Sequence, residues 1–213
     1  MKILLTLLLA AATLSLSAQK NKPPVVYKKA ISLSPLALAD IDHTVLLTGE
    51  YRLKPNLALL ADAGYIFASD YRSNIKKTTG FNIRPSVRMY HGKRNKGYLQ
   101  AQAFYKMVDY TITDWIGKDC VDGVPAYEKL EDFTYRKNVM GFNIIAGGLL
   151  PLSPSHKWLI DLYGGLGIRV KNHKVVNEPD GCYELNNGGF FNFEMNGTTI
   201  SVPLGLRITH VLQ

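Results

Sequence analysis

The chain has 213 residues, of which 46% are hydrophobic and 20% charged, and it carries 18 Gly but only 2 Cys. This length suits one domain with a full core, and the apolar fraction excludes a disordered chain. Two cysteines exclude a small disulfide-built scaffold, and without an apolar run of about 18 residues we expect no helical membrane span. The net charge of +8 alone would suggest phosphates or anionic lipid, but its distribution is more informative.

The N-terminal residues are predicted to be removed before the chain folds. Lys2 precedes a short apolar stretch, Ile3–Leu16, and small residues follow it up to Ala18. One positive charge, a short apolar region and a small residue before the cut are typical of a secretory signal peptide, so residues 1–18 are predicted to be the signal. The mature protein would then lie in an environment that permits disulfide formation.

A short tether is predicted between the signal and the folded domain. Residues 19–29 are basic and contain Pro23-Pro24. This composition is typical of an extended segment. The domain itself is predicted at 30–213.

The domain alternates polar and apolar residues with the period of a β-strand. Eight runs follow this pattern, and no helical period competes with it. The runs are Ala30–Leu38, Val45–Leu53, Leu57–Ile66, Phe81–Tyr90, Tyr98–Val108, Val139–Leu150, Trp158–Val170 and Ile200–Leu212. Short connections rich in Pro, Gly, Asn and Ser alternate with long polar ones at 67–80, 109–138 and 171–199. This order predicts an antiparallel up-and-down sheet with short and long connections at opposite ends.

The alternation separates an apolar face from a charged face. The charged face carries Glu50, Arg52, Asp62, Arg84, Arg88, Lys106, Asp161, Arg169 and Arg207. Alternation alone leaves open which face is inside. A soluble barrel of the lipocalin kind has its apolar face inside, whereas a membrane barrel has it outside.

Three features favour the membrane arrangement. The polar face includes small residues suited to a crowded interior: Gly64, Gly141, Gly147, Gly165, Gly167 and Gly205. Its charges have both signs and can pair inside the barrel as a network. Aromatic residues gather toward strand ends on the apolar face, as interfacial girdles do: Tyr51, Tyr65, Phe81, Tyr98, Tyr105 and Trp158. We therefore predict an all-β, antiparallel, up-and-down transmembrane β-barrel of about eight strands.

With its signal, alternating strands, short turns and long loops, the chain resembles the small eight-stranded outer-membrane β-barrels of Gram-negative bacteria. The resemblance implies a place in the cell outer membrane, contact with outer-membrane lipid and assembly by the outer-membrane insertion machinery. It also implies periplasmic short turns and extracellular long loops. Such barrels usually end in an aromatic residue that guides insertion, whereas this chain ends Val211-Leu212-Gln213.

No residue pattern predicts catalysis, a cofactor or a metal. The glycines at 164–167 lie inside a strand pattern with no helix after them, unlike a phosphate loop, and the histidines lack metal-ligand spacing. Lipid A-modifying barrels need a Ser beside a His and a carboxylate. His173 and Glu178 share a long connection, but no Ser occurs between Ser155 and Ser201. We expect neither enzymatic activity nor a nucleic-acid partner.

The long connections predict an outer surface. Cys120 and Cys182 lie in two long connections that are neighbours around the predicted barrel, so we expect them to form a disulfide. The connection at 109–138 is acidic, and both it and the connection at 171–199 contain aromatic residues. These aromatic residues either bind an extracellular partner or pack the loops on one another.

The sequence thus predicts a monomeric, non-enzymatic outer-membrane barrel with a plugged interior and a structural or surface-interaction role. Two alternatives stay open: a soluble periplasmic lipocalin-like barrel that binds an apolar ligand, and a lipid A-modifying outer-membrane enzyme. The Asn196-Gly197 pair is typical of a type I′ hairpin between Phe190–Met195 and Thr199–Val202, which leaves a ten-stranded barrel open as well.

Overall fold

The computed structural model describes residues 27–92, 96–122, 124–153, 155–177, 179–181 and 196–212. Nine strands form one antiparallel sheet. They are β1 (Lys29–Leu33), β2 (Asp42–Lys54), β3 (Leu57–Ser69), β4 (Ile75–His91), β5 (Gly97–Lys118), β6 (Tyr127–Pro151), β7 (Trp158–Val175), β8 (Gly197–Ser201) and β9 (Leu204–Leu212). Strands β1 to β7 pair in chain order, β7 pairs with β8 and β9, and β9 pairs with β1. The sheet closes into a ring, so the prediction of an all-β, antiparallel, barrel-like fold is confirmed.

Short connections join β2 to β3, β4 to β5 and β6 to β7 at one end of the ring, called here the short-connection end. Lys29 of β1 pairs with Leu212 of β9, which places both ends of the ring-forming chain there as well. The longer connections lie at the opposite, outer end. In the described part of the chain no helix is long and apolar enough to cross a membrane.

The last predicted strand, Ile200–Leu212, is two strands in the structure. β8 pairs with residues 167–171 of β7, and β9 pairs with residues 158–164 of the same strand. The break falls at Val202 and Pro203, because proline has no N–H to donate to a ladder. The segment Phe190–Met195, which the ten-stranded alternative requires, lies outside the described residues.

The first predicted strand, Ala30–Leu38, is also wrong in its extent. β1 ends at Leu33, and a 3₁₀ helix, Pro35–Ala39, follows it with Pro35 in its first turn. The proline cannot continue the ladder, so pairing between β1 and β9 ends at Leu33 and Ile208. Tyr27, which lies inside the predicted tether, is buried in the ring.

The segments predicted as long loops at 67–80 and 109–138 consist largely of strand. The segment 109–138 forms the distal part of a long hairpin between β5 and β6, called here the outer hairpin. Its two strands have 22 and 25 residues. Inward-facing Tyr110, Ile112 and Phe133 are buried there, so the alternation continues beyond the predicted strands. The polar residues that alternate with these buried side chains give the segment the composition of a loop. They therefore concealed the alternation in the sequence.

Candidate functional site

The interior of the ring is charged, and its exterior is apolar. On β2 and β3, Glu50 and Asp62 are buried, whereas Leu47 and Leu59, whose side chains point to the opposite side of the sheet, are exposed. The same alternation places buried Asp161 beside exposed Leu162 on β7. This arrangement is the reverse of the one expected for a lipocalin-like barrel, whose apolar face lines the interior.

Arg88 lies at the centre of a buried ion-pair network. Its guanidinium pairs with Glu50 Oε2 through Nη1 at 3.3 Å and with Asp161 Oδ2 through Nη2 at 3.0 Å. Its Nε donates to Gln100 Oε1 at 3.0 Å, and its guanidinium carbon lies 3.8 Å from the centroid of the Tyr98 ring. Every face of this buried cation therefore meets an acceptor or an aromatic ring.

Arg207 extends the network across the barrel. Its Nη1 lies 3.2 Å from Asp161 Oδ2, and its Nη2 lies 3.2 Å from Asp62 Oδ2. Asp161 is thus shared between two guanidinium groups, and it also accepts a hydrogen bond from the Tyr98 hydroxyl at 2.5 Å. One carboxylate on β7 therefore connects side chains from three other strands.

Arg52 closes the network toward the short-connection end. Its Nε lies 3.3 Å from Glu50 Oε1, and its guanidinium carbon lies 3.9 Å and 3.8 Å from the ring centroids of Tyr27 and Tyr90. The Tyr90 hydroxyl donates to Glu50 Oε1 at 2.5 Å. Two aromatic rings thus enclose this cation where the chain enters the barrel.

The network balances its own charge. It joins three carboxylates to three guanidinium groups, namely Glu50, Asp62 and Asp161 with Arg52, Arg88 and Arg207. Buried charges are tolerated only when they are paired and hydrogen-bonded. Each of the six side chains has an ion pair and a hydrogen bond, while Asp62 Oδ1 and Arg207 Nε have no partner among the described residues. The six were among the nine interior charges predicted from the sequence.

The remaining three predicted charges lie closer to the outer end. Lys106 pairs with Asp42 at 2.7 Å. Arg84 donates to Asn82 Oδ1 at 3.2 Å, and Arg169 donates to Thr199 Oγ1 at 3.1 Å. The structure therefore divides the predicted set into a balanced network and a separate, more basic group.

Sequence reasoning missed two residues of the basic group. Asp42 accepts hydrogen bonds from Ser69 Oγ and from the Tyr110 hydroxyl, each at 2.7 Å. Lys137 Nζ lies 3.2 Å from Asp42 Oδ2, beside Lys106. Both residues lay outside the predicted strands, so their shared inward direction was not visible.

Tyr98 is placed differently from the prediction. We assigned it to the aromatic girdle on the apolar face, but it is fully buried inside, where it contacts Arg88 and Asp161. The strand period already indicates this position, because Tyr98 is two residues from inward-facing Gln100. Tyr27 was missed for a different reason, since it lies in a segment predicted to be a tether.

Inward-facing glycines make room for these tyrosines. A Cβ at Gly147 would collide with the end of the Tyr98 ring, and one at Gly205 would collide with the ring of Tyr163. Tyr163 in turn lies against Arg207, with 4.3 Å between the guanidinium carbon and the ring centroid. Glycine is thus needed where a large ring covers a buried cation.

Gly147→Ala is expected to destabilise the protein by about 1–3 kcal/mol, because overpacking would displace Tyr98 from Asp161 and Arg88. The adjacent Gly148→Ala is a matched control, since a Cβ there would meet only the Lys96 carbonyl oxygen at 3.7 Å. The free energies of unfolding in urea, measured in the same detergent, check the difference. Equal values for the two variants would contradict this role of Gly147.

Below the network, apolar and aromatic side chains fill the short-connection end. The buried set comprises Tyr27, Ala30, Ala58, Leu60, Tyr90, Tyr98, Ile145, Leu149 and Leu159. Together with the network, this cluster occupies the lower part of the ring. A second buried cluster, which includes Ile66, Val108, Ile116 and Phe133, lies toward the outer hairpin.

The outer hairpin pairs many of the acidic residues that we predicted to lie in a loop. Arg136 donates two hydrogen bonds to Asp109, each at 2.6 Å. Lys118 donates to Glu131 Oε2 at 2.9 Å, and this hydrogen bond lowers the pKa of the Glu131 carboxyl. Cross-strand pairs therefore offset part of the negative charge of this segment.

The other predicted features of the outer end lie partly outside the described residues. Cys120 follows the end of β5, but its predicted partner Cys182 is not among the described residues, so the disulfide stays a prediction. Glu178 and residues 182–195 are also outside them. His173 is buried and stacks on Tyr135, with 5.6 Å between the ring centroids.

The described ranges contain no group of three or more His, Cys, Asp or Glu side chains arranged to hold a metal ion. Comparisons with protein-family models, with curated proteins and with solved structures found no match. What the barrel does must therefore be inferred from its own geometry.

Proposed function

We propose that this protein is an outer-membrane β-barrel with a plugged interior and a non-enzymatic, structural or surface-interaction role. In this proposal β8 and β9 together form an interrupted eighth strand, because they follow each other along β7. The observation that carries the proposal is the facing of the strands, with charges inside and apolar side chains outside.

The outer surface supports a lipid environment. Monomeric soluble proteins rarely expose contiguous apolar patches larger than a few hundred Å². Here exposed apolar side chains occur on every long strand, for example Leu47, Ile83, Leu99 and Phe142. Outside the break between β1 and β9, the closed antiparallel ring also satisfies its backbone hydrogen bonds without water, as the hydrocarbon core demands.

The same facing disfavours the soluble alternative. A lipocalin-like carrier needs an apolar interior for its ligand, but this interior holds three ion-paired arginines. An eight-stranded barrel is narrow enough for side chains to fill it, which agrees with a structural role for the network.

We assign the surface-interaction part of the role to the outer hairpin. β4 pairs with β5 only as far as Ile112, and β6 pairs with β7 only beyond Tyr135. No other described strand therefore pairs with the two hairpin strands toward the tip, where Lys118 Nζ donates to the Asp180 carbonyl oxygen. Trp115 and Tyr127 are exposed on this extension, where aromatic side chains are suited to binding a protein partner.

Membrane fractionation tests the proposal. Outer membranes from cells expressing the chain are washed with alkaline carbonate, and unboiled and boiled samples are compared by gel electrophoresis. We expect the protein to stay with the membrane and its unboiled form to migrate differently from the boiled form. Release into the carbonate supernatant would contradict the membrane assignment.

Planar-bilayer recording tests the plug. Because side chains fill the ring at the network and below it, we expect small and infrequent current steps or none. A vesicle preparation without protein is the control for spontaneous leaks. A steady current of porin size would contradict a plugged interior and would make Arg84 and Arg88 candidates for selectivity residues.

A further inference from the structure

A cavity of about 740 Å³ lies in the ring above the buried network. Its volume falls within the range of about 300–1,000 Å³ that small-molecule sites occupy. On the inner side it is lined by Arg84, Lys106 and Arg169. On the outer side it is lined by apolar residues that belong to the exterior of the ring.

The wall of the ring is interrupted beside this cavity. Toward the outer end, both ladders of β1 stop at Leu33, which pairs with Leu47 of β2 and with Ile208 of β9. Above these pairs the wall is made by the 3₁₀ helix and by the break at Pro203. Pro35 follows the end of β1 and stops the ladder on that side, and Pro203 separates β8 from β9 near the same seam.

Three apolar residues at this interruption line the cavity and are also exposed. Leu36, Val202 and Leu204 are 55%, 60% and 75% exposed, and each of them lines the cavity. Because the ladder between β1 and β9 has already ended here, exposed apolar side chains rather than paired strands border the cavity on this side. This stretch is called here the lateral opening.

The inner wall of the cavity is basic. Among the described residues, Lys106 and Lys137 share the carboxylate of Asp42, whereas the guanidinium groups of Arg84 and Arg169 donate to the neutral acceptors of Asn82 and Thr199. Two arginines on the cavity wall are thus available to a carboxylate or a phosphate, which they can bind with paired hydrogen bonds.

A buried hydroxyl adds a further polar group to this wall. Ser34 is 2% exposed, and its Oγ has no hydrogen-bond partner among the described residues. Ser34 immediately precedes the 3₁₀ helix and lines the cavity. A hydroxyl left without a partner at such a depth costs free energy unless a ligand supplies the missing hydrogen bond.

We infer that the cavity binds a single-chain anionic lipid. The carboxylate or phosphate head lies among Arg84, Arg169 and Ser34, and the acyl chain leaves through the lateral opening past Leu36, Val202 and Leu204. This inference rests on the proposed function, because the chain needs an apolar surrounding outside the wall. A purely polar ligand would leave the apolar opening without a role.

Binding is tested on the full mature protein in dodecyl maltoside, after its heat-modifiable mobility shows that it is folded. Native mass spectrometry compares palmitate, palmitoyl lysophosphatidate and neutral monopalmitoyl glycerol. We expect at least one anionic lipid to bind tenfold or more tightly than the neutral one, and the better of the two identifies the head group. Equal binding of all three lipids would overturn the inference.

Two variants locate the site. The double change Arg84→Gln and Arg169→Gln is expected to weaken binding of the anionic lipid at least tenfold, because two charged donors are lost. Its control is Lys76→Gln with Lys129→Gln, which removes two exposed cations outside the cavity. A similar loss in both double variants, or in neither, would overturn the site.

The lateral opening has its own test. Ala37→Trp places a large ring in the opening, and we expect it to reduce binding tenfold or more; Ala103→Trp on the exterior of β5 is the control. A photoreactive palmitate should label peptides containing residues 34–41 and 200–206. Labelling spread over the whole exterior would overturn the exit of the acyl chain through the lateral opening. If the same protein still resisted carbonate extraction, the membrane assignment would be unaffected by that result.

Discussion

Asp161→Ala is expected to lower the free energy of unfolding by about 3–5 kcal/mol, because it leaves two buried guanidinium groups without their shared carboxylate. Arg88 and Arg207 lie 3.0 Å and 3.2 Å from Asp161 Oδ2, and all three side chains are almost fully buried. The Tyr98 hydroxyl also loses its acceptor. Arg88 and Arg207 would then face each other with one carboxylate fewer to separate them.

Urea unfolding in lipid vesicles measures this loss, and the fraction of heat-modifiable protein after refolding provides a second readout. Asp132→Ala is the matched control, because Asp132 pairs with Lys76 at 2.8 Å on the exposed surface of the outer part. Exposed pairs of this kind contribute little to stability. Similar losses in both variants would argue against a structural network around Asp161.

Leu162→Arg is expected to cost about 2–4 kcal/mol if the exterior contacts the hydrocarbon core, with the largest cost near its midplane. Leu162 is 44% exposed and lies beside Asp161, so its side chain points away from the network. The charge would therefore be placed in lipid without a partner. Less folded protein after insertion into vesicles would report this cost.

Leu152→Arg is the control for this change. Leu152 is 56% exposed but lies between β6 and β7 at the short-connection end, outside the strands. The same chemical change should be tolerated there, since the arginine can reach water. The membrane assignment is wrong if two results occur together. The two variants would fold equally well in vesicles, and Leu162→Arg would be more soluble than the unchanged protein in the absence of lipid. The exterior would then face water.

Alternation of residue type was sufficient to predict an antiparallel sheet and the shared side of the charges within the predicted strands. The period of two fixes which side of the sheet Glu50, Asp62 and Asp161 share, and closure of the sheet then brings them together. The pattern could not separate Arg88, which is enclosed by partners, from Arg84, which faces the cavity. Whether an inward-facing arginine is enclosed or faces the cavity depends on its position along the barrel axis. It also depends on contacts with residues that are distant in the sequence.

The errors have identifiable causes. Pro35 and Pro203 were present in the predicted first and last strands, but the regular alternation around them outweighed their missing N–H groups. The strands of the outer hairpin were missed because their outward positions carry charges, such as Asp109 and Arg136, that satisfy one another across the ladder. Composition alone does not distinguish paired charges on a strand from solvated charges in a loop.

The short contact between β1 and β9 has a consequence for the order of assembly. These strands meet over five residue pairs, from Lys29 with Leu212 to Leu33 with Ile208, whereas β5 and β6 pair over 22. Joining residues so far apart in sequence carries the largest entropic cost in the ring, and few hydrogen bonds offset it. Closure of the ring is therefore the last step to become favourable, and until it occurs β1 and β9 present free edges to which another chain can add a strand.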